Sequence, residues 1–166
     1  RPGTRFQIAS GCKAFTAVAI QQLIEEGELA LDAALADCAD VPLPELSPAI
    51  TIRHLLTHTS GIPDYFDEEA GEDYEHVWRE RPMYRMRRPA DFLPLLEGRP
   101  MRAAPGSAFS YSNAGYVLLG LVVEQRTGMA FADYVTERIL RPCGMRASGY
   151  LAADRLPPGT ARAYIE

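Results

Sequence analysis

Apolar residues recur close to a helical period early in the chain, at Phe15, Val18, Ala19, Leu23 and Ile24. This spacing predicts a helix from about Ser10 to Glu26, with Gly27 as its stop. Before it, Arg5 to Ala9 alternate in polarity and read as a short strand or an extended approach. Glu28 to Asp32 form a short link, and the Pro-rich stretch Asp40 to Pro48 reads as loop. Thr51 can cap a helix running through His54, Leu55, Leu56 and Thr57 and ending near Gly61. Residues Pro63 to Arg88 have no clean period and form a long excursion with room for one short helix. Pro89 can open another helix near Asp91 to Glu97. Pro105-Gly106 marks a turn, and Phe109 to Asn113 lead into a helix from about Ala114 to Arg126. That helix is apolar nearly all round, so burial is expected, and Gly128 stops it. A last amphipathic helix carries Phe131, Tyr134, Val135 and Ile139 and ends at Arg141-Pro142; the tail from Ser148 is turn-rich. Strand signals are few and no repeat is visible, so the expected class is mainly α.

Composition narrows the function classes. The chain has 166 residues, 47% hydrophobic and 23% charged, enough for one domain and too apolar for a disordered chain. Its net charge is −5 with the signs interspersed, and the absence of a basic stripe argues against nucleic acid as a partner. The longest apolar run, Ala114 to Val123, is far short of the roughly 20 residues of a membrane span. There is no initiator Met and no signal-peptide pattern, and an opening on Arg1-Pro2-Gly3 suggests a partial chain. Compartment and oligomeric state stay open. Cys12, Cys38 and Cys143 are too scattered for a metal or disulfide framework.

Of 17 basic residues, 16 are Arg. Abundant Ala, Pro and Gly point to a coding bias against Lys. The one Lys retained is Lys13, three positions after Ser10. A surface Lys tolerates Arg, but a Lys that must release its proton does not, because guanidinium stays charged. Ser10-Gly11-Cys12-Lys13 is an S-x-x-K pattern. On a helix, residues i and i+3 share a face, so the hydroxyl and the amine can meet. A helix start also favours developing negative charge beside Ser10. A buried, neutral Lys13 amine could then take the serine proton. The plainer reading is a Ser N-cap with a chance Lys. About a hundred residues on, Tyr111-Ser112-Asn113 stands just before the buried helix. A phenol and an amide two residues apart on extended chain can enter one cleft together. A turn Asn capping the next helix, with Tyr as packing, is the plainer alternative.

Four blocks together resemble one family. Phe6-Gln7-Ile8-Ala9-Ser10-Gly11-Cys12-Lys13-Ala14-Phe15-Thr16-Ala17 resembles the nucleophile helix of class C β-lactamases and related esterases. Leu55-Leu56-Thr57-His58-Thr59-Ser60-Gly61-Ile62-Pro63 is similar to a second segment of the same penicillin-recognising superfamily. The run from Pro105 to Tyr116, containing Tyr111-Ser112-Asn113, is similar to its Tyr-x-Asn motif, and Leu140 to Met145 to a later segment. The blocks follow in the family's order across nearly the whole chain.

The resemblance implies a serine hydrolase working through an acyl-enzyme on an ester, a β-lactam or a D-amino-acid peptide, with no cofactor and no metal. It implies that Ser10 is acylated and Lys13 activates it. Tyr111 would shuttle the proton, and Asn113 would orient substrate and Lys13. The Ser10 N–H would supply half of the oxyanion hole. The implied fold has an α/β part and an all-helical part with the site between them. Residues 1–166 would form a single partial domain, the nucleophile helix (about 10–26) plus the helical portion, with most of the antiparallel sheet missing. The family's third motif, K-T-G or H-x-G on an edge strand, is not visible. Arg126-Thr127-Gly128 imitates it, but its Gly is a helix stop. The competing reading is a non-catalytic or truncated domain of this fold used for binding; a helical interaction module unrelated to hydrolysis would make four block matches accidental.

Other candidate residues carry plainer readings. His54 and His58 have a spacing that suits zinc on a helix, but no third ligand follows, and histidines bonding a loop are expected instead. His76 reads as solvated, Cys12 as a small buried residue, and the Arg-rich run Arg79 to Arg88 as a solvated face.

Overall fold

A 3-10 turn at Ala9–Cys12 runs into the first helix, α1, Lys13–Glu25. The structure, a computed structural model, describes residues 3–66, 77–79 and 81–161. His76 and part of the Pro63–Arg88 excursion lie outside the described residues. Helix α1 buries Thr16, Ala19, Ile20 and Leu23, one stripe at three- and four-residue steps. Val18, expected on that stripe, is 43% exposed and faces away from it. Gly27 ends the helix at φ 78°, with its N–H on the Ile24 carbonyl and the Glu28 N–H on the Leu23 carbonyl. This pair of bonds is a Schellman stop, and the left-handed φ selects glycine.

Two short helices follow: α2, Leu35–Cys38, and α3, Ile52–Leu56. At α3 the Thr51 hydroxyl accepts from the His54 N–H at 3.3 Å, and His54 Nδ1 accepts from the Thr51 N–H at 3.2 Å. Histidine thus fills the role glutamate usually takes in a capping box. The helix ends at Leu56 rather than near Gly61. Gly61 has a different task. It sits at φ 68°, and a Cβ there would lie 2.1 Å from the Ala103 carbonyl oxygen. Glycine is required where residues 59–61 run against 102–106, a pairing closed by the Arg102 and Gly106 N–H groups on the Gly61 and Thr59 carbonyls.

The helix expected near Asp91–Glu97 is a 3-10 stretch, Pro89–Leu95. Pro94 inside it has no N–H to give to an α-helical ladder. The long helix α4, Asn113–Thr127, is buried as its composition requires. Leu118, Leu119, Val122 and Val123 are fully enclosed. The Ser112 hydroxyl caps its start by accepting from the Gly115 N–H at 3.0 Å, and Gly128 at φ 67° stops it. Arg126-Thr127-Gly128 is therefore a helix end. Helix α5, Phe131–Val135, continues as a π-helical turn, Thr136–Leu140. Helix α4 packs against α1, α2, α3, the 3-10 stretch and α5, so it is the axis of the core.

Glu124 of α4 is buried but fully used. Arg88 donates to its Oε2 from NH2 at 2.9 Å and Nε at 3.3 Å, and its Oε1 accepts from the Phe131 N–H at 2.8 Å. The Arg-rich run is accordingly more than a solvated face: Arg88 ties to Glu124 and Arg87 to Asp154 at 2.7 Å. Among the described residues the only strand pairing is two isolated bridges, Arg5 with Thr160 and Ala34 with Thr51.

Candidate active site

Ser10 stands on the 3-10 turn that feeds α1, directly after Ala9, which holds a left-handed φ of 44°. Such a φ strains a residue that has a Cβ. The turn presents Ser10 exposed, and its side chain makes no helix cap, so the plain N-cap reading is set aside. Lys13, one turn later, reaches back to donate to Ser10 Oγ from Nζ at 3.3 Å. The same Nζ donates to Asn113 Oδ1 at 2.8 Å. Tyr111 donates its hydroxyl to Ser10 Oγ at 2.7 Å. The four polar residues singled out in the sequence thus meet, two from the start of α1 and two from the start of α4. The packing of α4 on α1 brings the halves together. Lys13 Nζ also lies 4.9 Å from the Tyr111 ring centroid and 5.7 Å from that of Tyr116, so aromatic faces flank the amine.

Asn113 is the first residue of α4 rather than its cap; Ser112 takes the capping role. This frees the Asn113 side chain to face Lys13.

His58 is placed beneath Tyr111. Its backbone is left-handed at φ 57°, which takes it off the axis of α3 and dissolves the i, i+4 pairing with His54. Its Nδ1 accepts from the Ser112 N–H at 3.1 Å, and its carbonyl accepts from the Ser110 N–H at 2.8 Å. The imidazole lies between Tyr111 (centroids 4.5 Å apart) and Tyr116 (5.0 Å apart), with Phe109 edge-on. Burial, then the Lys13 charge, pushes the imidazole below its ordinary value of 6.5, with Asp64 pulling weakly the other way. An accepting Nδ1 agrees with that direction, because a neutral ring carries its proton on Nε2. Among the described residues no group of three His, Cys, Asp or Glu side chains is arranged to hold a metal ion.

Asp64 was not among the residues singled out in the sequence. It is 4% exposed. Its Oδ2 accepts from the Asn113 N–H at 2.7 Å and from Asn113 Nδ2 at 3.1 Å. Its Oδ1 accepts from the N–H groups of Ala114 at 3.1 Å and Tyr65 at 2.8 Å. An acidic residue closing the apolar Gly61-Ile62-Pro63 run was the one available hint.

Cys12, expected to be buried, is half-exposed. Its carbonyl accepts from the Tyr150 hydroxyl at 3.1 Å, which braces the turn bearing Ser10, and burial pushes the Tyr150 phenol up to about 12. A cleft of about 480 Å³ opens beside this turn, lined by Phe6, Ile8, Phe15, Met145, Tyr150 and Leu151. None of the four polar residues lines it.

The sequence profile of the Beta-lactamase family matches residues 1–165. The chain belongs to the Beta-lactamase family. Within this family it is 38% identical over 159 residues to Esterase EstB of Burkholderia gladioli, covering 93% of this chain and 40% of the esterase. The crystal structure of a penicillin binding protein from Bacillus halodurans superposes with a TM-score of 0.89 at 53% identity, covering 97% of this chain and 48% of that one. A D-stereospecific amidohydrolase from Streptomyces sp. follows at a TM-score of 0.73 and 30% identity, covering 86% of this chain and 43% of its own. The chain therefore spans less than half the length of these relatives. The β-lactamase-like fold is shared across the match.

Proposed function

We propose that this chain carries the nucleophile of a serine hydrolase that works through an acyl-enzyme. One observation carries the reading: Ser10 Oγ receives both Tyr111 Oη at 2.7 Å and Lys13 Nζ at 3.3 Å, with Lys13 held by Asn113. These distances allow proton transfer away from the hydroxyl as it attacks. In this reading Ser10 Oγ adds to a carbonyl carbon and its proton passes to the neutral Lys13 amine. The tetrahedral oxyanion would collect charge beside the Ser10 N–H. Collapse breaks the bond to the leaving group, which takes the proton through Tyr111. Water then attacks the ester of Ser10, passing a proton through Tyr111 to the Lys13 amine, and the acid is released as Oγ regains its hydrogen from Lys13. The free N–H of the Asn113 amide is available to a substrate carbonyl.

The substrate class is an ester, a β-lactam or a D-amino-acid peptide. Its support is the names of the relatives, an esterase, a penicillin binding protein and a D-stereospecific amidohydrolase. Residues 1–166 would supply the nucleophile helix and the helical part of the fold as one partial domain. The antiparallel sheet and a K-T-G or H-x-G motif would belong to the part of the family fold not covered here.

The test is covalent labelling. Protein containing these residues within its full-length chain is incubated with a fluorescent penicillin and with a p-nitrophenyl ester, and adducts are located by peptide mass. Label on Ser10 that vanishes in Ser10→Ala is expected. Label that persists in Ser10→Ala sinks the nucleophile assignment, and neither label nor turnover points to the binding-domain reading instead.

A further inference from the structure

We propose that Asp64 is a positioning residue for this reaction, holding the Asn113 side-chain amide in the one orientation that lets it anchor Lys13. The inference rests on the proposed function for its kinetic meaning, but its structural content stands on the hydrogen bonds alone.

A carboxylate only accepts, and the Lys13 amine gives Asn113 an N–H while its lone pair is kept for the Ser10 proton. Asn113 lies between the two. Its Nδ2 donates to Asp64 Oδ2 at 3.1 Å, and its Oδ1 accepts from Lys13 Nζ at 2.8 Å. Turning the amide over would put oxygen against oxygen on one side and donor against donor on the other. Asp64 therefore selects the rotamer. It cannot drift, because its two oxygens also hold the N–H groups of Tyr65, Asn113 and Ala114. Burial at 4% exposure keeps water from replacing any of these bonds. The chain of contacts then runs Asp64, Asn113, Lys13, Ser10, so the direction of the amine toward Oγ is set three residues away from it.

A helix cap alone would need only the bonds to the α4 backbone N–H groups. The additional bond to Nδ2 makes a separate prediction. In Asp64→Asn the shape is kept, but one oxygen becomes an NH₂. With that NH₂ toward Asn113, the Asn113 amide turns over and meets Lys13 with a donor.

The experiment is a double-mutant cycle on the full-length protein. Ser10 labelling by a fluorophosphonate is timed in the unmodified protein, Asp64→Asn, Asn113→Ala and the double variant. A misplaced amine costs roughly a hundredfold. Asp64→Asn is expected to slow labelling by about that factor when Asn113 is present. In the Asn113→Ala background it is expected to slow labelling by less than about threefold, the scatter of independent sites. An equal loss in both backgrounds overturns the proposal, since a cap acts whether or not Asn113 is there. A second measurement needs neither substrate nor variant: a coupling across the hydrogen bond from Asn113 Nδ2 to the Asp64 carboxyl carbon by NMR. Its presence supports the positioning role, and its absence overturns it even if Asp64→Asn does not fold. An unmodified protein that takes no label defeats the proposed function and leaves this NMR result to decide the arrangement.

Discussion

Gly61→Ala tests the close approach on which the site's second half depends. Two costs combine. A left-handed φ of 68° costs a residue with a Cβ about 1–2 kcal/mol. The new Cβ would also stand 2.1 Å from the Ala103 carbonyl oxygen, so the two backbones must separate by about an ångström to reach the shortest real contacts. That separation strains the Arg102 and Ala103 bonds to the Gly61 carbonyl at 2.8 and 3.4 Å, each worth about 1 kcal/mol. The total is about 2–4 kcal/mol, and at about 2–4 °C per kcal/mol for this size the midpoint should fall by about 4–16 °C. Gly98→Ala is the control. Its φ is 71°, but nothing lies within 4 Å of a Cβ there, so only the conformational cost applies. Thermal unfolding of the two variants side by side isolates the clash. If both lose the same amount, the close approach of residues 61 and 103 is not what the glycine serves. Residues 102–113 lead directly to Tyr111 and Asn113, so Gly61→Ala should also slow Ser10 labelling at temperatures where it remains folded, while Gly98→Ala should not.

Three further outcomes are expected. Lys13→Arg keeps the charge but not the ability to release a proton, so Ser10 labelling should fall by roughly 10²–10⁴, the usual worth of a general base, and a rate within a factor of about three of the unmodified protein would remove Lys13 from that role. The His58 imidazole is held below 6.5 in the folded state, so unfolding takes up a proton as pH drops past that value; the contribution to stability is present above about pH 6.5 and is lost toward lower pH. Melting temperature should therefore decline as pH falls below about 6.5 more steeply than in His58→Gln, and parallel curves would contradict it. Glu124→Gln weakens the charge-assisted bonds to Arg88 at a buried position, for an expected loss of about 1–3 kcal/mol by thermal unfolding; no loss would mean the exposed Arg88 end contributes nothing.

Much of the local structure was legible because its causes lie within a few residues. Gly27 and Gly128 stop helices through bonds to the turn before them, Thr51 caps its helix through the turn after it, and the all-apolar α4 could only be buried. Ser10 and Lys13 share a face by helical period alone, and the 3.3 Å contact follows from it. Misreadings arose where a residue answers to something distant. Val18 fits the period of α1 but is left exposed, Gly61 looked like a helix stop but serves residue 103, and His58 looked like a helical partner of His54 until its left-handed φ turned it under Tyr111.

What the sequence alone determined is the supply of chemical groups and the short-range geometry of each half of the site. What only the tertiary structure decided is their meeting: Lys13 with Asn113 across a hundred residues, Tyr111 with Ser10 across 101, and Asp64 behind Asn113 across 49. The physical reason is the range of the forces. Backbone periodicity and capping act within one or two turns and leave a mark on spacing. The acceptor that a buried carboxylate provides has no such mark, because it depends on which surfaces the core brings into contact.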